Sequence, residues 1–343
     1  MNFNYSKKKS IAVLELSSSG IKTISACPFH VKKHYDLSKF SDDRKEIFNL
    51  FDLIDENLYI NEEKFKTDIL PKIVKFYQLI MRSRSPQAFY VVATGYYRNT
   101  KNGDEIIGQV NDAIADISKS RNFSVEILSK EKESKLSFIS WYSTNQLFPE
   151  KLNFTKDWFT KNSIGINIDI GGSTIEISFL NDINDFTNTL SFYTEVTKKS
   201  HLLAQKENVS IEEVERVISS VGEFVLNSLS IQYTRIYSIS FCVVTGSSIS
   251  SFNNVLFDEP KIILETKNLL MPLALLKSQL SKSKTFTHQE RVEIYKQLIS
   301  VSILKGILGF LKIETFYINN ANLRIGCYYD MLFKLRDNRN PYN

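Results

Sequence analysis

The chain has 343 residues, 43% hydrophobic and 24% charged, with a net charge of +5, the balance of an ordinary globular protein of about two domains. No run of about 18 apolar residues predicts a membrane span, and no zinc, helix-turn-helix or RNA-sheet motif supports specific nucleic-acid binding. The chain begins with MNFNYSKKKS, which does not resemble a signal peptide, and Cys27, Cys242 and Cys327 are scattered. We therefore expect a cytoplasmic protein.

The first half of the sequence alternates strand and helix patterns. Apolar residues of one stretch recur at helical spacing, and Pro71 within it predicts a kink or a boundary. The predicted elements are a strand–turn–strand at 11–27, a helix at about 61–82, a strand at 89–94, a helix from about 102, a strand at 124–128 and a helix at about 132–142.

The second half continues this alternation, which predicts an α/β protein. Ser210 and Glu213 have the spacing of a capping box at the start of a helix. The predicted elements are a hairpin at 166–178, a helix at 210–229, a strand at 236–244, helices at about 265–281 and 288–311, a strand at 314–318 and a last helix after Arg324.

The two halves share one short pattern. VLELSSSGIKTIS, around Glu15, matches NIDIGGSTIEISF, around Asp169: each has an acid among apolar residues, three small residues and a resumed alternation. The repeat predicts two related α/β domains that face each other across a cleft. Small turn residues let backbone N–H groups approach anionic oxygens, and carboxylates at strand ends suit Mg²⁺, so a polyphosphate ligand fits.

Six ordered motifs resemble those of the actin-like ATPase superfamily and, more narrowly, of the exopolyphosphatase/guanosine pentaphosphate phosphatase (Ppx/GppA) family. They are ELSSSG (15–20), ATGYYRNTKN (93–102), LSKEKESKL (128–136), DIGGSTIEI (169–177), VVTGSS (243–248) and LRIG (323–326). The resemblance implies two actin-like (ribonuclease H-like) domains, at 1–130 and 131–324, with a helix at about 325–337 packed back on the first. It also makes a homodimer plausible.

The resemblance implies that water cleaves a terminal phosphoanhydride of polyphosphate or of a guanosine pentaphosphate-type nucleotide. Glu133 would be the general base, and Glu176 would also be catalytic. The implied Mg²⁺ ligands are Asp169, Glu176 and Glu15. The implied phosphate-binding residues are Ser17, Ser18, Ser19, Arg98, Gly171, Gly172 and Ser173. Gly246 and Ser247 would border the nucleoside or chain side of the cleft.

Departures from the family pattern leave alternatives open. Glu15 is one methylene longer than the family's aspartate, Ser17 replaces a glycine, and Ile325 replaces an acid. We expect a phosphohydrolase, with two alternatives. One is a catalytically weakened homologue that senses a polyphosphate or nucleotide ligand or acts as a partner protein, and the other is a different actin-like ATPase or kinase. Its four histidines show no triad pattern, and the i,i+4 pair His30 and His34 lacks a third ligand, so we interpret these two as exposed loop residues.

Overall fold

The computed structural model describes residues 10–27, 41–84, 86–118, 124–146, 163–181, 185–206, 208–232, 238–246, 248–250, 263–280, 286–319 and 321–336. Contacts divide the chain into a first unit, residues 1–152 with 323–343, and a second unit, residues 153–322. Within these described residues, each unit has one mixed β-sheet with packed helices, as the predicted α/β class requires. No helix in the described ranges is long and apolar enough to cross a membrane.

In the described part of the first unit, the sheet has five strands in the order β3-β2-β1-β4-β5. The strands β1 to β3 form an antiparallel meander, and β4 and β5 join it in parallel. Their bounds are β1 Ile11–Ser17, β2 Gly20–Ala26, β3 Ser41–Ile47, β4 Ala88–Ala93 and β5 Val125–Ile127. Pairing of Ser17 with Gly20 fixes the register of the first hairpin and places Lys22 opposite Glu15.

The helices of the first unit include the one predicted around Pro71. There the chain forms a π-helical turn, Phe65–Ile69, and Pro71 is the second residue of the helix that follows, a position in the first turn where the missing N–H is tolerated. The helices are α1 Glu62–Lys64, α2 Leu70–Arg84, α3 Gly95–Asn99, α4 Gly103–Ser118, α5 Lys130–Gln146 and, after the second unit, α10 Leu323–Arg336.

The helix α10 packs closely on α5. Both helices belong to the first unit, which therefore includes residues beyond the predicted boundary at 130/131. A Cβ atom at Gly326 would lie 1.8 Å from the Leu136 carbonyl oxygen, so only glycine permits this approach. The apolar residues between the two helices and β1, among them Val13, Tyr328 and Met331, form one buried cluster. The LRIG motif thus fixes α10 against the sheet of the first unit.

The sheet of the second unit repeats this plan. A meander of β6, β7 and β8 is joined in parallel by β9 and then β11, with β10 antiparallel at the edge. The strands are β6 Ser163–Ile170, β7 Thr174–Leu180, β8 Thr189–Tyr193, β9 Ser238–Thr245, β10 Ile263–Glu265 and β11 Thr315–Ile318. The internal similarity found in the sequence is therefore a similarity of strand topology.

The helices of the second unit pack on the apolar face of its sheet. They are α6 Val196–Gln205, α7 Ile211–Gln232, α8 Leu270–Leu280 and α9 His288–Phe310. Ile166, Ile168 and Val225 are fully buried in the shared core. Ser210 caps α7 by accepting the Glu213 N–H at 3.2 Å, whereas the Glu213 carboxylate binds Lys206, so half of the predicted capping box forms.

Candidate active site

Glu15 lies near the end of β1 and is almost fully buried. Its Oε1 is 3.2 Å from Lys22 Nζ, because the hairpin register places these residues side by side. Its Oε2 is 3.8 Å from Nε of Arg324, in the first turn of α10. Nη1 of Arg324 lies in turn 3.2 Å from Oδ1 of Asp43 on β3. The first acidic motif therefore sits between two cations of its own unit.

These cations determine how Glu15 titrates. Burial alone would raise the pKa of the Glu15 carboxyl, because the charged form loses hydration. The positive charges of Lys22 and Arg324, together with the hydrogen bond from Lys22, outweigh burial and hold that pKa below its ordinary value. Glu15 is therefore an ionised, ion-paired carboxylate at neutral pH.

Glu133 lies in the first turn of α5 and is also buried. Arg98 Nη1 donates to its Oε2 at 2.7 Å and to the Leu128 carbonyl at 2.7 Å, which ties α3 to the start of α5. Burial is the main cause of a raised pKa for Glu133; the negative charge of Glu15 adds to the rise, while Arg98 and the Gly95 N–H oppose it. A carboxyl with this environment can exchange a proton nearer neutral pH than an exposed glutamate.

The turn between β1 and β2 contains Ser18 and Ser19. Its carbonyl oxygens are used by the backbone that follows β3: the Leu50 N–H donates to Ser18 at 3.1 Å and the Phe48 N–H donates to Ser19 at 3.3 Å. The Ser17 hydroxyl closes the turn by donating to the Gly20 carbonyl at 3.2 Å. Ser17, which replaces the family's glycine, ends β1 without a positive φ, so its backbone does not require glycine.

The turn between β6 and β7 is held in the same way. The backbone after β8 donates to its carbonyls, from the Thr194 N–H to Ser173 at 2.9 Å and from the Thr197 N–H to Gly172 at 2.8 Å. Within the described part of the chain, the N–H groups of Gly172 and Ser173 donate to no backbone carbonyl. A turn whose carbonyls are engaged in this way can offer its N–H groups to an anion.

Asp169 and Glu176 lie directly opposite each other on β6 and β7. Opposed residues of an antiparallel pair project from the same face of a sheet, so the two carboxylates are neighbours. Glu176 is buried, and its Oε1 accepts a hydrogen bond from the Ser191 hydroxyl on β8 at 2.8 Å. The second acidic motif therefore places two carboxylates beside the Gly171–Ser173 turn.

Gly246 follows β9 and adjoins the same turn. Its φ is +143°, and a Cβ atom there would lie 2.4 Å from the carbonyl oxygen of Ile170, the residue before Gly171. Both facts require glycine. Ser247, which was predicted to act with Gly246, lies outside the described residues.

Two solved structures match this arrangement of strands and helices over nearly the whole chain. A Ppx/GppA family member from Aquifex aeolicus has a TM-score of 0.66 at 16% identity, covering 95% of this chain and 98% of that one. An exopolyphosphatase from Cytophaga hutchinsonii has a TM-score of 0.63 at 12% identity, covering 95% and 98%. The chain has the Ppx/GppA fold. No protein-family model and no curated protein matches the sequence.

The carboxylates of this Ppx/GppA fold differ in how well they suit Mg²⁺. No three histidine, cysteine, aspartate or glutamate side chains of the described ranges are grouped to hold a metal ion. Mg²⁺ commonly uses one or two carboxylates and completes its shell with waters and phosphate oxygens. The adjacent Asp169 and Glu176 fit that chemistry. Glu15 does not fit it, because Lys22 and Arg324 already neutralise its charge.

Three charged residues of the first unit were not predicted as site residues: Lys22, Asp43 and Arg324. The pairing of Lys22 with Glu15 could have been predicted, because a two-residue turn at Ser18-Ser19 places these two residues opposite each other. Arg324 lies in the quoted LRIG motif, but nothing in the motif indicates a partner so distant in sequence. Asp43 belongs to an edge strand of the Ppx/GppA fold whose charged sequence gave no strand signal.

Proposed function

We propose that the chain is a divergent Ppx/GppA phosphohydrolase that removes the terminal phosphate of inorganic polyphosphate or of a guanosine pentaphosphate-type nucleotide. The fold supports this class of protein. The observation that carries the proposal is Glu133, a buried carboxyl with a raised pKa that Arg98 and the Gly95 N–H hold in one orientation. This is the environment of a general base rather than of a surface acid.

In the proposed reaction, a water oxygen attacks the terminal phosphorus as Glu133 accepts a proton from that water. The bond between the terminal phosphorus and the bridging oxygen breaks, and the shortened chain keeps the electron pair. The products are orthophosphate and a ligand with one phosphate fewer. Such transition states need mainly positioning and stabilisation of negative charge, and a base with a pKa nearer neutrality is well matched to this step.

The turns of both units would bind phosphate oxygens in this proposal. We assign that role to the backbone N–H groups of Gly172 and Ser173, supported by the engagement of the turn carbonyls, and to the equivalent turn from Ser17 to Ser19. Arg98 would orient Glu133 and bind a phosphate oxygen with its planar guanidinium.

Asp169 and Glu176 would hold Mg²⁺ in this proposal. Bound there, the ion would neutralise charge on the phosphate oxygens. We remove Glu15 from the predicted metal ligands and propose that it modulates the pKa of Glu133 instead. The cytoplasmic location and the homodimer stay predictions.

Orthophosphate release tests this function. Purified protein is given polyphosphate, a guanosine pentaphosphate or ATP, each with Mg²⁺. We expect release from one of the first two, and a loss of about 100-fold or more in Glu133→Gln with ligand binding retained. Glu131→Gln is the matched control, because this half-exposed neighbour contacts Lys130 and has no assigned role.

Other outcomes would replace the proposal. If wild type binds these ligands but releases no more phosphate than Glu133→Gln, the chain is a binding protein. If only ATP is bound and cleaved, it is a different actin-like enzyme.

A further inference from the structure

Two histidines of the second unit, neither of them a proposed site residue, lie side by side. His201 lies on α6, and His288 is the first residue of α9. Nδ1 of His201 and Nε2 of His288 are 3.4 Å apart, and the two ring centroids are 5.6 Å apart. The two residues are 87 positions apart, so the sequence does not indicate that they pair. The i,i+4 pair His30 and His34, which the sequence does indicate, lies outside the described residues.

We propose that His201 and His288 form a two-histidine site for a divalent transition-metal ion. An ion at 2.0–2.1 Å from each of two imidazole nitrogens, with tetrahedral angles, separates those nitrogens by about 3.3 Å. The observed separation of 3.4 Å matches this requirement. Each ring can present the facing nitrogen as a lone pair when its proton is on the other nitrogen.

The backbone on both sides of the pair is well fixed. Thr287 caps α9 with a complete capping box, in which its hydroxyl accepts the Glu290 N–H and Glu290 binds back to Thr287, so His288 starts a firmly held helix. On α6, the buried hydroxyl of Ser200, next to His201, donates to the Val196 carbonyl at 2.8 Å. Ligands on packed helices keep their spacing better than ligands on loops.

The donor set selects the class of metal. Imidazole nitrogens suit Zn²⁺, Ni²⁺ and Cu²⁺, with Cu²⁺ bound most tightly, whereas Mg²⁺ prefers oxygen. No third protein ligand joins the pair among the residues that the structure describes, so water or an external ligand would complete the shell. The ion would tie α9 to α6, whose first turn holds the Gly172 carbonyl through the Thr197 N–H. Its two ligands are different residues from Asp169 and Glu176, the proposed Mg²⁺ ligands.

Calorimetric titration of the full chain, freed of any histidine tag, with ZnCl₂ and NiCl₂ tests the proposal. Wild type is expected to bind one ion per chain. His201→Ala and His288→Ala are each expected to lose that binding, and His30→Ala/His34→Ala is expected to keep it. His288 is exposed and His201 partly exposed, so both variants should fold, which circular dichroism verifies.

A second measurement guards against a general loss of structure. The melting temperature of wild type should rise with Zn²⁺, and that of His288→Ala should not, while the two melting temperatures agree without metal. Binding that survives in His288→Ala, or that disappears in His30→Ala/His34→Ala, would overturn the proposal. So would the absence of binding by wild type, which would leave the pair as an N–H···N hydrogen bond.

Discussion

Replacing Arg98 with alanine removes the main partner of the buried Glu133. The variant loses a hydrogen bond to a carboxylate, worth about 1.5–3 kcal/mol, and a bond to the Leu128 carbonyl, worth about 1 kcal/mol. Only 20% of the Arg98 side chain and 10% of the Glu133 side chain are exposed, so solvent screens the pair weakly. We therefore expect a loss of about 3 kcal/mol in the free energy of unfolding at about pH 8.

The size of this loss depends on pH in a defined direction. The folded pKa of Glu133 is raised above its ordinary value, so its favourable contribution is present at acid pH and is lost as pH rises through the folded pKa. In wild type, Arg98 stabilises the Glu133 carboxylate and so reduces the stability that is lost as pH rises. At about pH 4 the carboxyl is largely protonated in wild type and variant, so the charge-assisted part of the pair is gone and the cost of Arg98→Ala falls to about 1 kcal/mol.

Urea unfolding at several pH values measures this dependence. The chain has two tryptophans, and Trp141 is fully buried on α5, so Trp158→Phe makes fluorescence report on the first unit. Lys277→Ala is the control, because Lys277 pairs with Glu215 at 2.6 Å with both side chains exposed, and its loss should stay within about 0.5 kcal/mol. A loss in Arg98→Ala that is the same at acid and alkaline pH would refute the reasoning.

Three further predictions concern other parts of the site. Glu15→Gln should lower the pKa of Glu133, because the negative charge of Glu15 raises that pKa. The acid limb of the profile of kcat/KM against pH should therefore move to lower pH. An acid limb that does not move would show that the two carboxyls are not coupled. Gly246→Ala should cost about 1–3 kcal/mol in urea unfolding, because its φ is +143° and its Cβ would lie 2.4 Å from a backbone oxygen. Gly222→Ala, in open space within α7, should instead add about 1 kcal/mol, and equal effects at the two glycines would contradict the backbone argument. Asp169→Asn should raise the Mg²⁺ concentration needed for half-maximal phosphate release while Glu15→Gln should not, and the reverse order would restore Glu15 as a ligand.

The elements with a strong local pattern could be predicted from the sequence. The two acid–turn–strand hairpins, the apolar strand β4 and the helix α7 follow from alternation, small turn residues and helical spacing. The strand β3 was missed because SDDRKEI has little apolar alternation and forms a strand only by pairing with β2. Propensity gives no signal for such an edge strand.

The environment of the site residues was harder to predict than their positions. The motifs identified Glu133 and Arg98 as site residues. They did not predict that the Arg98 guanidinium binds the Glu133 carboxylate. The pairing of Glu15 with Arg324 depends on how α10 packs beside β1, a contact between the two ends of the first unit. Contacts of this kind follow from the packing of the fold and not from local sequence.

The most direct test of the account is phosphate release in water labelled with oxygen-18. The account predicts that wild type, given Mg²⁺ and polyphosphate, incorporates the label into the released orthophosphate and not into the shortened chain. Glu133→Gln should release phosphate at least about 100-fold more slowly than wild type, while it binds the ligand as wild type does. Label in the shortened chain, or undiminished release by Glu133→Gln, would contradict the assignment of Glu133 as the base for water attack on the terminal phosphate.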